Sequence, residues 1–335
     1  LKESRRAWAK ENLPSSISIF HSGEELITSG TCDAVLVATP HYDHPRLVIM
    51  ALDQGLHALS EKPAGVYTKQ VREMNEVAKR SSKVFGMMFN QRTNHLYRKL
   101  HELVHSGVYG QLKRVNWIIT DWYRTQSYYD SGEWRGTWNG EGGGVLLNQC
   151  PHNLDMLQWI CGMPNKVHAY CHYGKWHNIE VEDDVTAYLE FPNGATGVFV
   201  TTTADTPGTD RLEITLERAR IVCDMHKEEG LEVYELDVNE REFCYSAPQG
   251  FKKPTGKLVK VETDGKNEQH NGVLKAFAGK ILHGTPLVAD GIEGINGLTL
   301  SNAMHLSSWL NKDVTIPFDE DLFLEKLNAV SYTHL

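Results

Sequence analysis

Lys62 lies in the step Glu61-Lys62-Pro63, directly after the apolar run at residues 55–60. A lysine at the end of a buried parallel strand points into the ligand crevice of an open α/β sheet. There its ammonium would polarise a carbonyl or hydroxyl oxygen and stabilise developing alkoxide charge. The same residue also reads as a solvated strand end, with Pro63 as terminator. Further along, Asn148, His152 and Asp155 follow the glycine run at 142–144 with spacings of four and three. On one helix that spacing places them on a shared face, about a turn apart. A histidine there could move a proton near neutral pH. Glycines without Cβ would let the head of the helix approach a ligand closely. Beside Pro151, His152 also reads as a packing residue, the more frequent role of a lone histidine on an apolar helix.

These groups need elements to hold them. Residues 3–12 are helix-like, 17–20 read as a short strand and 23–29 as a helical turn. Residues 33–39 form a continuous β-branched apolar run ending at Pro40, expected to be a strand buried on both faces. Helical spacing over 46–54 leads to Gly55 as a C-cap glycine, then to the strand that precedes Lys62. A helix over 68–81 and a strand over 84–89, closing at Asn90-Gln91-Arg92, complete the alternation. Such βαβ order predicts one half of a doubly wound α/β domain with a parallel sheet. No G-x-G-x-x-G turn occurs before Gly55. The first βα unit, its glycine turn and the acidic residue that reads the ribose are therefore expected upstream of Leu1, and the chain as it stands is expected to bind dinucleotide poorly.

From residue 94 the pattern changes. An amphipathic helix over 95–106 and a strand over 112–123 precede a loop holding Tyr128, Tyr129, Trp134, Arg135 and Trp138. A helix over 145–161 follows, then strands over 166–173, 185–191, 195–203, 212–216, 219–224 and 231–236. Asn193-Gly194 between two of them is a hairpin signal. Helices over 269–283 and 291–309 close the pattern. This predicts an α+β domain with a large, mostly antiparallel open sheet. The expected division is 1–93 for the incomplete α/β domain and 94–330 for the substrate and oligomerisation domain. Residues 331–335 break the pattern of the helix over 321–329 and are expected to be a non-native tail.

Composition narrows the partners. The net charge of −9 argues against nucleic acid and anionic membranes, which call for a basic surface. No apolar run approaches the ~18 residues of a membrane span, and the opening residues lack a signal-peptide pattern. Six cysteines without a Cys-x-x-Cys pairing suggest neither a disulfide framework nor a zinc knuckle, so a reducing cytoplasm is expected. His168 and His172, four apart on a strand, lie roughly 13 Å from each other, too far to share a metal, and no metal site is expected. Glu180, Glu182, Asp183 and Asp184 read as a solvated loop. Of the aromatics at 122–138, those in the loop suit the apolar face of a sugar ring and those on the strand suit packing.

Thr39-Pro40, His44 five residues after Thr39, Gly55-x-His57, Glu61-Lys62-Pro63 and the later glycine-rich helix with His152 stand in an order that resembles the Gfo/Idh/MocA family of nicotinamide-dependent oxidoreductases. The resemblance runs from about residue 33 to 164 and implies a Rossmann-type domain followed by the α+β domain. It implies NAD or NADP as cofactor, lined by Ala38, Thr39, Pro40, His41, His44, Glu61, Lys62, Gln91, Trp134 and Arg135. It makes Lys62 and His152 the catalytic pair, with Asn148, Trp134 and Tyr123 joining them at the substrate. Many members carry an aspartate where this chain has Asn148, and an amide can orient a hydroxyl without acting as a base. The implied activity is hydride transfer between NAD(P) and a secondary hydroxyl of a sugar, glycoside or inositol-like polyol, in a homo-oligomer. An NAD-dependent glycosidase and a non-catalytic sensing regulator of the same family remain open.

Overall fold

Three parallel strands form the first sheet of the computed structural model, which describes residues 3–227 and 230–332. They are β1 (Ala34–Val37), β2 (His57–Ser60) and β3 (Phe85–Met87), paired in that order. Val35 and Val37 are buried, whereas Leu36 is 49% exposed. The expectation of a strand buried on both faces is thus corrected: among the described residues β1 is an edge strand with one covered face. Helices α1 (Glu3–Asn12) and α2 (Gly23–Thr28) precede it, and residues 17–20 form no strand. α3 (Asp43–Asp53) and α4 (Thr68–Arg80) connect the strands. Val48 and Ala51 on α3 and Val71 and Met74 on α4 are fully buried, as apolar residues at helical spacing should be when a helix covers a sheet.

The second sheet has nine strands among the described residues. β4 (Leu112–Ile119), β5 (Lys166–Tyr173), β6 (Glu182–Glu190), β7 (Thr196–Thr202), β8 (Asp210–Leu216), β9 (Ala219–Asp224), β10 (Leu231–Leu236), β11 (Gly256–Val259) and β12 (Val314–Thr315) line up as β11-β10-β9-β8-β4-β7-β6-β5-β12. Every pairing is antiparallel except β4 with β7. The β6–β7 hairpin turns at Asn193-Gly194, where Gly194 has φ +84°. Alternation sets the faces: Val115, Trp117 and Ile119 point inward with Phe199, Val185 and Ala187, while Ile118, Tyr170 and Tyr188 stay exposed.

Helices α5 (His95–His105), α6 (Gln126–Asp130), α7 (Pro151–Cys161), α8 (Glu240–Ser246), α9 (Gln269–His283), α10 (Gly294–Leu310) and α11 (Glu320–Tyr332) complete the described chain. α10 lies on β5 and α7. α9 returns to the first sheet, where Val273 and Phe277 cluster with Leu59 and Met88. Asn302 of α10 accepts from the Thr68 amide and donates to the Val66 carbonyl, both at 3.0 Å, joining the second region to the head of α4. Two expected elements differ in extent. The strand expected to reach residue 123 ends at Ile119, and α11 continues through Tyr332, with Ser331 Oγ donating to Leu327 O at 2.8 Å. Residues 333–335 of the expected tail lie outside the described residues. No helix among the described residues is long and apolar enough to cross a membrane.

One buried ion pair crosses between the two regions. Arg92, just after β3, binds Asp155 of α7 through Nε at 2.8 Å and Nη2 at 2.7 Å, and reaches Glu293 through Nη1 at 2.7 Å. The Arg92 and Asp155 side chains are 2% and 0% exposed, so neither can turn to water. Asp155 is therefore a structural partner of Arg92. Asp155→Ala should leave the guanidinium buried without its bidentate acceptor and cost about 3–5 kcal/mol, readable as a lowered midpoint in urea unfolding.

Candidate active site

The carboxyl ends of β1, β2 and β3 open on one side, as strand ends do in an open parallel sheet. His44, near the head of α3, clasps the first two. Its Nδ1 lies 2.7 Å from the Pro63 carbonyl and its Nε2 2.7 Å from the Thr39 carbonyl. Burial pulls the His44 pKa below its ordinary value, while the two carbonyls oppose that shift. Beyond His44, the Glu61 amide donates to Val37 O at 2.8 Å, so the chain leaves β2 still tied to β1. Lys62 then reaches across to the second region, and its Nζ donates to the Asn148 carbonyl at 2.8 Å. Burial lowers the Lys62 pKa, with Glu61 and Glu141 opposing.

The glycine run meets the protein's own β6 and not an open ligand surface. Buried Glu182 accepts from the amides of Gly144 at 2.7 Å and Leu146 at 2.9 Å. A Cβ on Gly144 would stand 1.9 Å from the Glu182 carbonyl oxygen, and Gly142, at φ +78°, would bring one to 2.4 Å from Val66. Residues Val145–Gln149 form a π-helical turn before α7 starts at Pro151. The expected single helix over 145–161 is thus broken between the two candidate residues, because the turn must satisfy Glu182 and proline fits only the first positions of a new helix. Asn148 turns its carbonyl to Lys62 and its Nδ2 to Glu141 Oε1, with Tyr128 Oη at 3.4 Å. His152 packs edge-on against Phe89 at 6.4 Å. Its Nδ1 is buried without a partner. Burial first, then the charges of Lys62 and His270, push its pKa down to about 3.

The remaining expected residues divide. Thr39 Oγ1 is buried without a partner at the end of β1, and Ala38 and Pro40 beside it are exposed. His41 lies 2.9 Å from the Glu141 carbonyl through Nδ1 and meets Trp134 edge-on at 6.2 Å. Arg135 lies over the rings of Tyr128 at 4.3 Å and Trp134 at 4.5 Å, and donates to Tyr128 Oη at 2.6 Å. Gln91 sits on the 3-10 turn Asn90–Thr93 that leaves β3. Tyr123 is 47% exposed, and no hydrogen bond joins its side chain to Lys62, Asn148 or His152 among the described residues. The loop aromatics do not act as one set: Trp138 is buried against Tyr173, His305 and Trp309, and Tyr129 is buried with its hydroxyl 3.0 Å from Thr203 Oγ1. The acidic run is also reassigned. Glu182 and Asp183 are wholly buried on β6, and Asp183 accepts from the amides of Lys175, Trp176 and His177 at 3.1, 2.9 and 3.0 Å.

Sequence reasoning missed Glu141. Its carboxyl is buried, accepts from the Gly136 amide at 2.7 Å and lies 3.7 Å from Arg135 Nη1. Burial raises its pKa to about 7 against the pull of Gly136, Arg135 and Asn148. Its one signal in the sequence is an acid placed directly before the glycine run.

The shifts carry a stability consequence. His41 and His152, both near 3 when folded against an ordinary value of 6.5, bind fewer protons than in the unfolded chain between those values, so stability falls as pH drops below about 6.5. Glu141 acts the other way between 4.5 and about 7, with one proton against two. The melting temperature should therefore fall from about pH 7 to about pH 5. His152→Asn should flatten that fall in a thermal-shift series; an unchanged slope contradicts the assignment.

A family model described as "Oxidoreductase family, NAD-binding Rossmann fold" matches residues 3–89, and one described as "GFO/IDH/MocA C-terminal domain" matches 97–222. D-glucoside 3-dehydrogenase of Escherichia coli K12 is 27% identical over 194 residues, covering 53% of this chain and 54% of the relative. Trans-1,2-dihydrobenzene-1,2-diol dehydrogenase of Mus musculus is 33% identical over 196 residues, covering 57% and 54%. The chain thus spans about half the length of these curated relatives. The crystal structure of the WlbA dehydrogenase from Bordetella pertussis, in complex with NADH and UDP-GlcNAcA, shares the fold at TM-score 0.77 and 23% identity, over 94% of this chain and 87% of that one.

Proposed function

Since the chain belongs to the Gfo/Idh/MocA family, we propose that it serves as an oxidoreductase moving a hydride between NAD or NADP and a secondary hydroxyl of a sugar, glycoside or cyclic polyol. One observation carries this reading: the half-buried Lys62 is held by its Nζ on the carbonyl of Asn148, four residues before His152, whose Nδ1 is buried without a partner. The two named relatives act on a glucoside and a ring dihydrodiol by name, and both names describe ring hydroxyls.

The residues at the strand ends fit a dinucleotide. Thr39 Oγ1 is a buried hydroxyl without a protein partner, which is what a bound polar group would complete. Ala38, Thr39, Pro40, His41, His44, Glu61, Lys62 and Gln91 would hold the cofactor, with Trp134 and Arg135 on the far wall. Hydride chemistry is what NAD(P) supplies when bound. His152 takes the hydroxyl proton, its ring neutral at the outset although the same burial weakens it as a base. Lys62 donates to the reacting oxygen and stabilises the negative charge that develops there. Asn148 orients the hydroxyl, and the exposed ring of Trp134 offers a flat face to the sugar. The exposed sheet face with Ile118, Tyr170 and Tyr188 is the surface through which a homo-oligomer would form.

The test, made on a version extended upstream of Leu1 by a first βα unit with its glycine turn, is a panel of inositols, hexoses and glycosides with NAD and with NADP, followed by nicotinamide absorbance and by cofactor binding in calorimetry. Turnover is expected, and Lys62→Ala should lower kcat by roughly 10²–10³ while substrate still binds. Absence of both absorbance change and cofactor binding overturns the reading. Glycoside cleavage without net NADH would move it to a transient-oxidation glycosidase.

A further inference from the structure

Glu141 is a buried carboxyl at the centre of the site that the proposed chemistry leaves unused. Its side chain meets Asn148 Nδ2, and the carbonyl of the same Asn148 anchors Lys62 Nζ at 2.8 Å. Only one residue therefore separates Glu141 from the lysine. The Asn148 amide has two chemically different ends. Its Nδ2 has two acceptors, Glu141 Oε1 and Tyr128 Oη, matching its two N–H groups, and its Oδ1 has no hydrogen-bond partner among the described residues. An ionised carboxylate only accepts, so it holds the nitrogen end toward itself and leaves Oδ1 free. A protonated carboxyl can also donate, and the amide can then turn over to accept from it.

Resting on the oxidoreductase reading above, we propose that Glu141 is a positioning residue whose ionised form keeps Asn148 Oδ1 available to accept from a substrate hydroxyl, and whose protonation releases that orientation. This makes substrate affinity the pH-sensitive quantity of the site. Burial places the Glu141 carboxyl near 7, where its state changes across the physiological range. The titratable and charged groups facing it come from every neighbouring element: Arg135 from the loop, Tyr129 from α6, His41 after β1, Lys62 after β2 and Glu182 from β6, with Tyr128 of α6 on the shared Asn148 amide. His41, pushed down to about 3, and Tyr129, pushed up to about 12, do not change state near 7.

The full chain, labelled with carbon-13 at glutamate carboxyls and nitrogen-15 at asparagine amides, is titrated by NMR from about pH 5 to pH 9, with Glu141→Gln identifying the Glu141 signal. The expected result is a Glu141 midpoint near 7, the Asn148 side-chain amide moving with the same midpoint, and a flat Asn148 trace in E141Q. An Asn148 amide that does not titrate, or that titrates unchanged in E141Q, overturns the proposal whether or not any substrate is turned over. On a substrate found by the panel, wild-type KM should rise about tenfold as pH falls through the midpoint, the loss of one hydrogen bond of ~1.4 kcal/mol. E141Q should remove that limb, with kcat changing less than KM, and Glu141→Asp should restore it. A limb that survives in E141Q also overturns the proposal. A panel with neither turnover nor cofactor binding sinks the oxidoreductase reading, and the NMR titration still decides this one.

Discussion

The Arg92–Asp155 pair is the constraint on which the site's geometry depends. Arg92 leaves the third parallel strand and Asp155 sits one turn into α7, so the pair sets the distance between the first sheet and the helix that begins with His152. Phe89 and His152, just upstream of each partner, meet edge-on as a result. Glu293 adds a third charge at the head of α10. A buried pair of this kind need not stabilise more than an apolar substitute would. Its effect lies in the penalty for separating the charges, which makes other packings of these elements costly.

Desolvation then writes the electrostatics of the crevice. It is the largest cause of the lowered Lys62 and His152 pKa values and of the raised Glu141 pKa. Each group is pushed toward its neutral form, which is what low dielectric does to acids and bases alike. The site thus gathers a histidine held in its neutral form, a lysine whose ammonium is less firmly held than in water, and a carboxyl poised between states. The glycine run contributes by letting β6 come close, so that the Glu182 carboxylate can take two amides at the head of the π-helical turn.

Much of the local structure was legible from residue order. The alternation of apolar runs with helical spacing over 33–89 yields β1, α3, β2, α4 and β3, since each element's period and caps are written within its own segment. The Asn193-Gly194 hairpin and the position of Lys62 at a strand end follow for the same reason. Less legible was anything that depends on who lies opposite. Glu182 and Asp183 read as a solvated run because a carboxylate in isolation prefers water, and only the facing amides of 144–146 and 175–177 make their burial favourable. Trp138 and Tyr129 read as loop aromatics for want of their partners on α10 and just after β7.

The amino-acid order by itself determined the parallel unit, the mostly antiparallel sheet after it and the candidacy of Lys62 and His152, because periodicity, turn residues and strand ends are short-range properties of the chain. The tertiary structure decided that Asp155 is held by Arg92 across 63 residues, that Lys62 reaches the Asn148 carbonyl across 86, and that His41 meets the Glu141 carbonyl across 100. Those choices rest on which polar groups are left to pair once water is excluded, and that is settled only where distant segments meet.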